Sequence, residues 1–208
     1  ANGNTAVTAN SLNVSFERGG GADSISDGAG TDTVYGGTGN DKIYVNIGEG
    51  FDIIDGGTDI DLVAIDRSLT SLGVSFSIAN SAVLQTLADG TSLVNIEQVI
   101  YTGGSGNDSV TGGALLDDLR GGAGLDTLDG GGGNDVVLGG ADVDNVSGGS
   151  GEDDVRGDEG ADIVRGGADN DQVYGGVGDD DVFGDGGDDS LFVSAGEGND
   201  NIDGGAGS

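Results

Sequence analysis

The chain has 208 residues, of which 47 are glycine, with 38 acidic against 6 basic side chains, a formal net charge of −32, and no Pro, Cys, His, Met or Trp. That charge disfavours anionic partners: no Lys/Arg patch exists to meet phosphates, so nucleic acid is excluded as a ligand. Without cysteine or histidine there are no disulfides, no thiolate or imidazole metal sites and no histidine base, so any metal must be held by oxygen alone.

Residues 1–17 come first, with Leu12, Val14 and Phe16 alternating, and are expected to form a strand capping one end of the repeats. No 18-residue apolar run occurs anywhere, so no helical membrane span is expected, and no basic-plus-apolar leader is present. The sequence is taken as a piece of a larger protein.

Residues 18–64 form a first repetitive block of five units. Asp23, Asp32, Asp41, Asp52 and Asp61 recur, each followed two places on by an aliphatic residue: Ile25, Val34, Ile43, Ile54 and Val63. The unit Gly36-Gly37-Thr38-Gly39-Asn40-Asp41-Lys42-Ile43-Tyr44 displays the pattern G-G-x-G-x-D-x-U-x, with U a large aliphatic. Glycines at the first, second and fourth places are expected to permit positive φ in a six-residue turn, and the last three residues to be extended with the aliphatic pointing inward. Two units then make one coil, giving two parallel sheets back to back, with each turn stacked on the next turn but one.

Residues 65–102 carry no repeat. Val74-Ser75-Phe76-Ser77-Ile78 alternates, and Val83 to Ala88 is expected to meet Thr91 to Val94 across an Asp89-Gly90 turn. The segment reads as an inserted β hairpin or cap that splits the solenoid, with residues 95–101 leading back into repeats.

Residues 103–208 hold the second block, ten gapless units and an eleventh after a two-residue insertion, followed by a truncated one. Its sixth places are Asp108, Asp117, Asp126, Asp135, Asp144, Asp153, Asp162, Asp171, Asp180, Asp189 and Asp200, and its eighth places are all aliphatic, from Val110 to Ile202. Departures from the pattern are Asp59, Leu115, Asp142 and Asp169 at the fourth place and Asp158 and Asp185 at the second. Aspartate tolerates the left-handed region and leucine does not. The turn Gly112 to Asp117 is therefore expected to be a weak or empty site, unless Leu115 and Leu116 simply pack against the preceding segment.

The repeat resembles the RTX (repeats-in-toxin) calcium-binding nonapeptide of haemolysin-type proteins. That resemblance implies an all-β fold, a right-handed parallel β-roll or β-solenoid in two blocks interrupted by the non-repeat β segment. The physical reading agrees with it: stacking brings Asp23 to Asp41, Asp108 to Asp126 and Asp117 to Asp135, beside freed turn carbonyls, and such oxygen cages suit Ca²⁺ better than Mg²⁺. All sixteen sixth-place aspartates are candidate ligands. Three stacked pairs in the first block and nine in the second give about twelve ions, whose two charges each would take −32 to −8. Few apolar groups and many glycines make folding dependent on the metal.

The resemblance further implies export from a Gram-negative bacterium through a type I secretion system, a secreted or cell-surface location, and support of a larger protein. An extended adhesin stalk or surface-binding segment is the alternative. No catalytic constellation is visible: there is no H-E-x-x-H, no Ser-His pair and no EF-hand loop, and the paired carboxylates read as calcium ligands rather than as a glycosidase acid and base. The ninth-place aromatics Tyr35, Tyr44, Tyr174, Phe183 and Phe192 are expected to cover a sheet rather than form a recognition stripe.

Overall fold

The computed structural model describes residues 6–8, 15–17, 19–28, 30–45, 51–194 and 198–207. Leu12 and Val14, two of the three alternating residues of the expected capping strand, lie outside these residues. Phe16 belongs to the strand Ser15–Glu17, which pairs in parallel with Thr33–Thr38.

Every described element is a β-strand, and all pairings but one are parallel. A ten-stranded sheet runs from Ala6–Thr8 through Gln98–Thr102 to Ser190–Phe192 and forms one wall. The facing wall is made of two sheets end to end, one of five strands from the first repeats and one of seven from the second. The fold is therefore a two-walled β-solenoid, and its period shows directly in the register: Leu119 pairs with Val137, Val137 with Val155, and Val155 with Val173, each eighteen residues on. Where a unit has eleven residues the step becomes twenty, as in Val34↔Ile54 and Val182↔Ile202.

The eighth-place aliphatics fill the space between the walls. Val137, Val146, Val155, Val164, Val173 and Val182 are wholly buried. Leu191 is only partly buried and Ile202 is half exposed, because they sit on the last described coil, where no further coil covers them. Each valine contacts its equivalents on the coils before and after, so its loss is not absorbed by flexible neighbours. Val155→Ala removes two buried methyl equivalents and is expected to cost roughly 2 kcal/mol in the calcium-saturated protein, read from the shift of a urea unfolding curve.

Two details differ from the expectation. Strands such as Asp118–Ala123 and Ile163–Ala168 continue through the first three places of the next unit, so the true turn is only the fourth to sixth places. From Gly121 to Gly184 the first-place glycine is buried in that strand, and within the repeats it never has a positive φ; only second and fourth places do, including the departures Asp59, Asp142, Asp158, Asp169 and Asp185. Leu115, as its side chain demands, stays out of the left-handed region.

The segment 65–102 does not interrupt both walls. Gln85–Thr86 and Ser92–Val94 form the antiparallel pair across Asp89-Gly90, with Leu87 N–H bonded to Thr91 O at 2.8 Å, and Ser92–Val94 extends the five-stranded sheet. Ser75–Ser77 starts the seven-stranded sheet beneath Ser109–Thr111. The ten-stranded wall passes straight through, because Gln98–Thr102 is long enough to carry two registers: Val99 lies opposite Val63 on one side, and Tyr101 lies opposite Leu119 on the other. This two-residue offset is what lets repeats of a fixed period resume after a segment that has none.

The aromatic ninth places are spread over three sheets. Only Tyr174 and Phe192 stack, at 4.6 Å between ring centroids, with the Arg156 guanidinium 4.7 Å above Tyr174.

Candidate metal centre

The solenoid turns place the sixth-place aspartates one above another. Fourteen of the sixteen are buried, and Asp189 and Asp200 are half-buried. Their side chains do not point at one another. Twelve of them use Oδ1 to accept the backbone N–H of the equivalent aspartate one coil back, among them Asp41 from Asp23 at 2.7 Å, Asp52 from Asp32 at 2.8 Å, Asp126 from Asp108 at 2.7 Å, Asp135 from Asp117 at 2.7 Å and Asp153 from Asp135 at 2.8 Å. The same bond continues through Asp61, Asp144, Asp162, Asp171, Asp180, Asp189 and Asp200. The stacked pairs expected from the sequence are thus formed, each joined by one charge-assisted hydrogen bond.

The other oxygen is treated differently. Oδ2 of Asp41, Asp61, Asp126, Asp135, Asp144, Asp153, Asp162, Asp171, Asp180 and Asp189 is buried and accepts no hydrogen bond. An ionised carboxylate oxygen removed from water without a partner costs several kcal/mol. Burial accordingly raises these acids: Asp61, Asp135, Asp144 and Asp171 to about 7, and Asp126, Asp153 and Asp162 to about 6, with neighbouring aspartates adding to the effect.

Backbone oxygens gather where Oδ2 is left over. A Cβ built on Gly130 would lie 2.5 Å from both Asp135 Oδ2 and the Gly148 carbonyl oxygen, and one on Gly157 would lie 2.5 Å from both Asp162 Oδ2 and Gly175 O. The first-place glycine therefore leaves room for a carboxylate from its own unit and a carbonyl from the next coil of the same wall. Among the described residues no three acidic side chains converge into a metal-holding group. A cation here would draw on a carboxylate pair and complete its shell from carbonyls. An anionic, oxygen-only set of that kind fits Ca²⁺, which takes six to eight hard ligands in flexible geometry.

Three features are not apparent from the sequence alone. Fifth-place Asn and Asp side chains bond the coils in the opposite sense: Asn107 Oδ1 accepts Leu125 N–H at 3.1 Å, Asn134 Oδ1 accepts Glu152 N–H at 3.2 Å and Asn170 Oδ1 accepts Asp188 N–H at 2.8 Å. The recurrence of Asn at that place was the available signal. Glu97 stands in for the missing aspartate of its coil, its Oε2 accepting Asp61 N–H at 2.9 Å, and only the register offset reveals that equivalence. Asp27 is fully buried at a first place, and its departure from glycine there was the available signal.

The family profile described as RTX calcium-binding nonapeptide repeat (4 copies) matches residues 18–51, 100–114, 120–155, 156–191 and 192–208, about two thirds of the chain. Comparison with curated proteins gives no match.

Proposed function

Since the chain belongs to the RTX calcium-binding nonapeptide repeat family, we propose that it is a β-roll module that folds when Ca²⁺ binds after export and then supports a larger protein. The observation that carries this reading is the row of buried Oδ2 atoms without hydrogen-bond partners, repeated coil after coil beside carbonyls of the next coil. The ten aspartates whose Oδ2 is so placed would hold the ions. Bound Ca²⁺ supplies positive charge to a chain of formal charge −32 and a partner for each stranded oxygen. The residues' own part is to fix the carboxylates: Oδ1 is tied down by the N–H of the preceding coil, which turns Oδ2 towards the first-place glycine.

Export is supported by two things. Proteins with these repeats are typically exported, and a fold that needs calcium stays open where calcium is scarce. Absence of cysteine is compatible with passage between redox compartments.

The test is far-UV circular dichroism of the metal-stripped chain titrated with Ca²⁺ and, in parallel, Mg²⁺ at millimolar levels. A cooperative coil-to-β transition with Ca²⁺ alone is expected. Equal β content in the stripped, magnesium and calcium samples would sink the reading.

A further inference from the structure

The repeat aspartates are not all alike. We propose that Asp108 and Asp117, although in register with the others, are not calcium sites, and that their coils, with the segment before them, form a metal-independent junction dividing the calcium into two separate arrays. This rests on the calcium-binding function proposed for the repeats and refines it.

All four oxygens of these two carboxylates are taken by the protein. Asp108 Oδ1 accepts Val74 N–H at 2.8 Å and its Oδ2 accepts the Tyr101 hydroxyl at 2.8 Å. Asp117 Oδ1 accepts Val99 N–H at 2.6 Å and its Oδ2 accepts Gly113 N–H at 2.6 Å. A donor hydrogen and a cation compete for the same oxygen, so the satisfied pair has little to gain from a metal. On the coil before them stand Val74 and Val99, where other coils carry an acid, so the second carboxylate of a pair is missing on that side.

The turn backbone changes at the same two places. In the units from Gly121 to Phe192, every turn holds a left-handed residue at its second or fourth place. Gly104, Gly106, Gly113 and Leu115 have none. The turn backbone of these two units therefore differs from that of the units that follow, although Gly103 and Gly112 still lie beside Oδ2 of Asp108 and Asp117 and the carbonyls of Gly121 and Gly130.

What holds the junction is an ordinary core. Val74, Phe76, Ile78, Leu87, Leu93 and Ile96 are all buried within a stretch where the repeats would supply one aliphatic per nine residues, and Phe76 meets Tyr101 edge to face at 5.7 Å. The segment 65–102 has three acids, Asp66, Asp89 and Glu97, against Arg67, so it lacks the self-repulsion of the repeats. Arg67 is buried, its guanidinium pairs with Asp89 of the hairpin turn, and its backbone N–H donates to Thr102 O at 2.6 Å. It places a buried cation within the junction itself.

Amide hydrogen exchange read by mass spectrometry on the whole chain, with EDTA and with Ca²⁺, tests this. In EDTA, the strands Leu62–Asp66, Gln98–Thr102 and Ser109–Thr111 are expected to stay protected while those from Thr127 onward exchange as free chain. Tyr101→Phe keeps the ring against Phe76 and removes the hydroxyl; it is expected to speed exchange of the junction in EDTA at least tenfold and to leave the calcium-loaded pattern unchanged. Counted by native mass spectrometry, Asp135→Asn lowers the number of bound calcium ions and Asp117→Asn does not. Uniformly fast exchange in EDTA, an unaffected Tyr101→Phe variant, or equal ion loss in both Asn variants overturns the junction and leaves calcium-dependent folding standing. Uniformly slow exchange in EDTA overturns both.

Discussion

Held in EDTA and moved from pH 8 to pH 5, the chain is expected to regain a substantial part of the β signal that chelation removed. The sign comes from the buried aspartates. Burial places Asp61, Asp135, Asp144 and Asp171 at about 7 in the folded chain and Asp117, Asp126, Asp153 and Asp162 at about 6, against 3.8 for the ordinary group. The metal-free fold thus binds more protons than the unfolded chain. The associated stability is fully present below pH 3.8 and is lost as pH rises through 6 to 7, so the metal-free fold is weakest above pH 7. A proton on Oδ2 does part of what a calcium ion does, by removing a buried charge, but it cannot bridge to the carbonyls of the next coil.

The chain has no histidine or cysteine, and exposed carboxylates stay ionised between pH 5 and 7, so proton uptake in that window reports the stacked aspartates with little interference. Circular dichroism at micromolar concentration, kept above the isoelectric point near 4.1, tracks it. The calcium dependence that is steep at pH 8 should flatten at pH 5, because protons occupy the oxygens that the ion would take. A chelated chain whose β content is flat from pH 8 to pH 5 would show that the folded state does not bury these carboxylates as charged groups.

The sequence makes the coil legible because its chemistry is local and repeated. A nine-residue period with one aliphatic and one aspartate defines which residue faces inward, and doubling it predicts that Leu119 lies beside Val137 and Asp117 beside Asp135, as the eighteen-residue register has it. What stayed hidden depends on contacts between coils. That Glu97 replaces an aspartate and that Val99 sits in the place of one is decided by a strand carrying two registers, which no local pattern encodes. Tyr101 reads from sequence as one more strand aromatic; its hydroxyl matters because Asp108 arrives seven residues later on the facing wall. The first-place glycine was legible as a requirement but not in its cause, since a turn explanation suffices until the neighbouring oxygens are seen.

That cause leads to the other large expected effect, in which one substitution has opposite outcomes at two glycines. Gly148 has an ordinary backbone conformation, so alanine is not opposed there by φ. Its Cβ would nonetheless lie 2.4 Å from Asp153 Oδ2, 2.7 Å from Asp153 Cβ and 2.7 Å from Gly166 O. Both obstacles are fixed, one by the hydrogen bond from Asp135 N–H and the other by the parallel ladder. The methyl must push a coil away or expel the carboxylate from its place, and either spoils the oxygen set along with the packing. Gly148→Ala is therefore expected to cost roughly 3 kcal/mol of calcium-saturated stability and to lower the number of bound ions.

Gly186, a third-place glycine, provides the contrast. Its Cβ would meet only Gly167 O, at 3.6 Å, an ordinary contact, and its φ is not left-handed. Alanine there restricts the unfolded chain without disturbing the folded one, so Gly186→Ala is expected to be neutral or to stabilise by up to about 1 kcal/mol. Urea unfolding in excess Ca²⁺ measures both variants. If glycine served these repeats only as a flexible residue, the two substitutions would behave alike; a gap of several kcal/mol between them would locate the requirement in the space beside the aspartate, where the ion's oxygens are assembled.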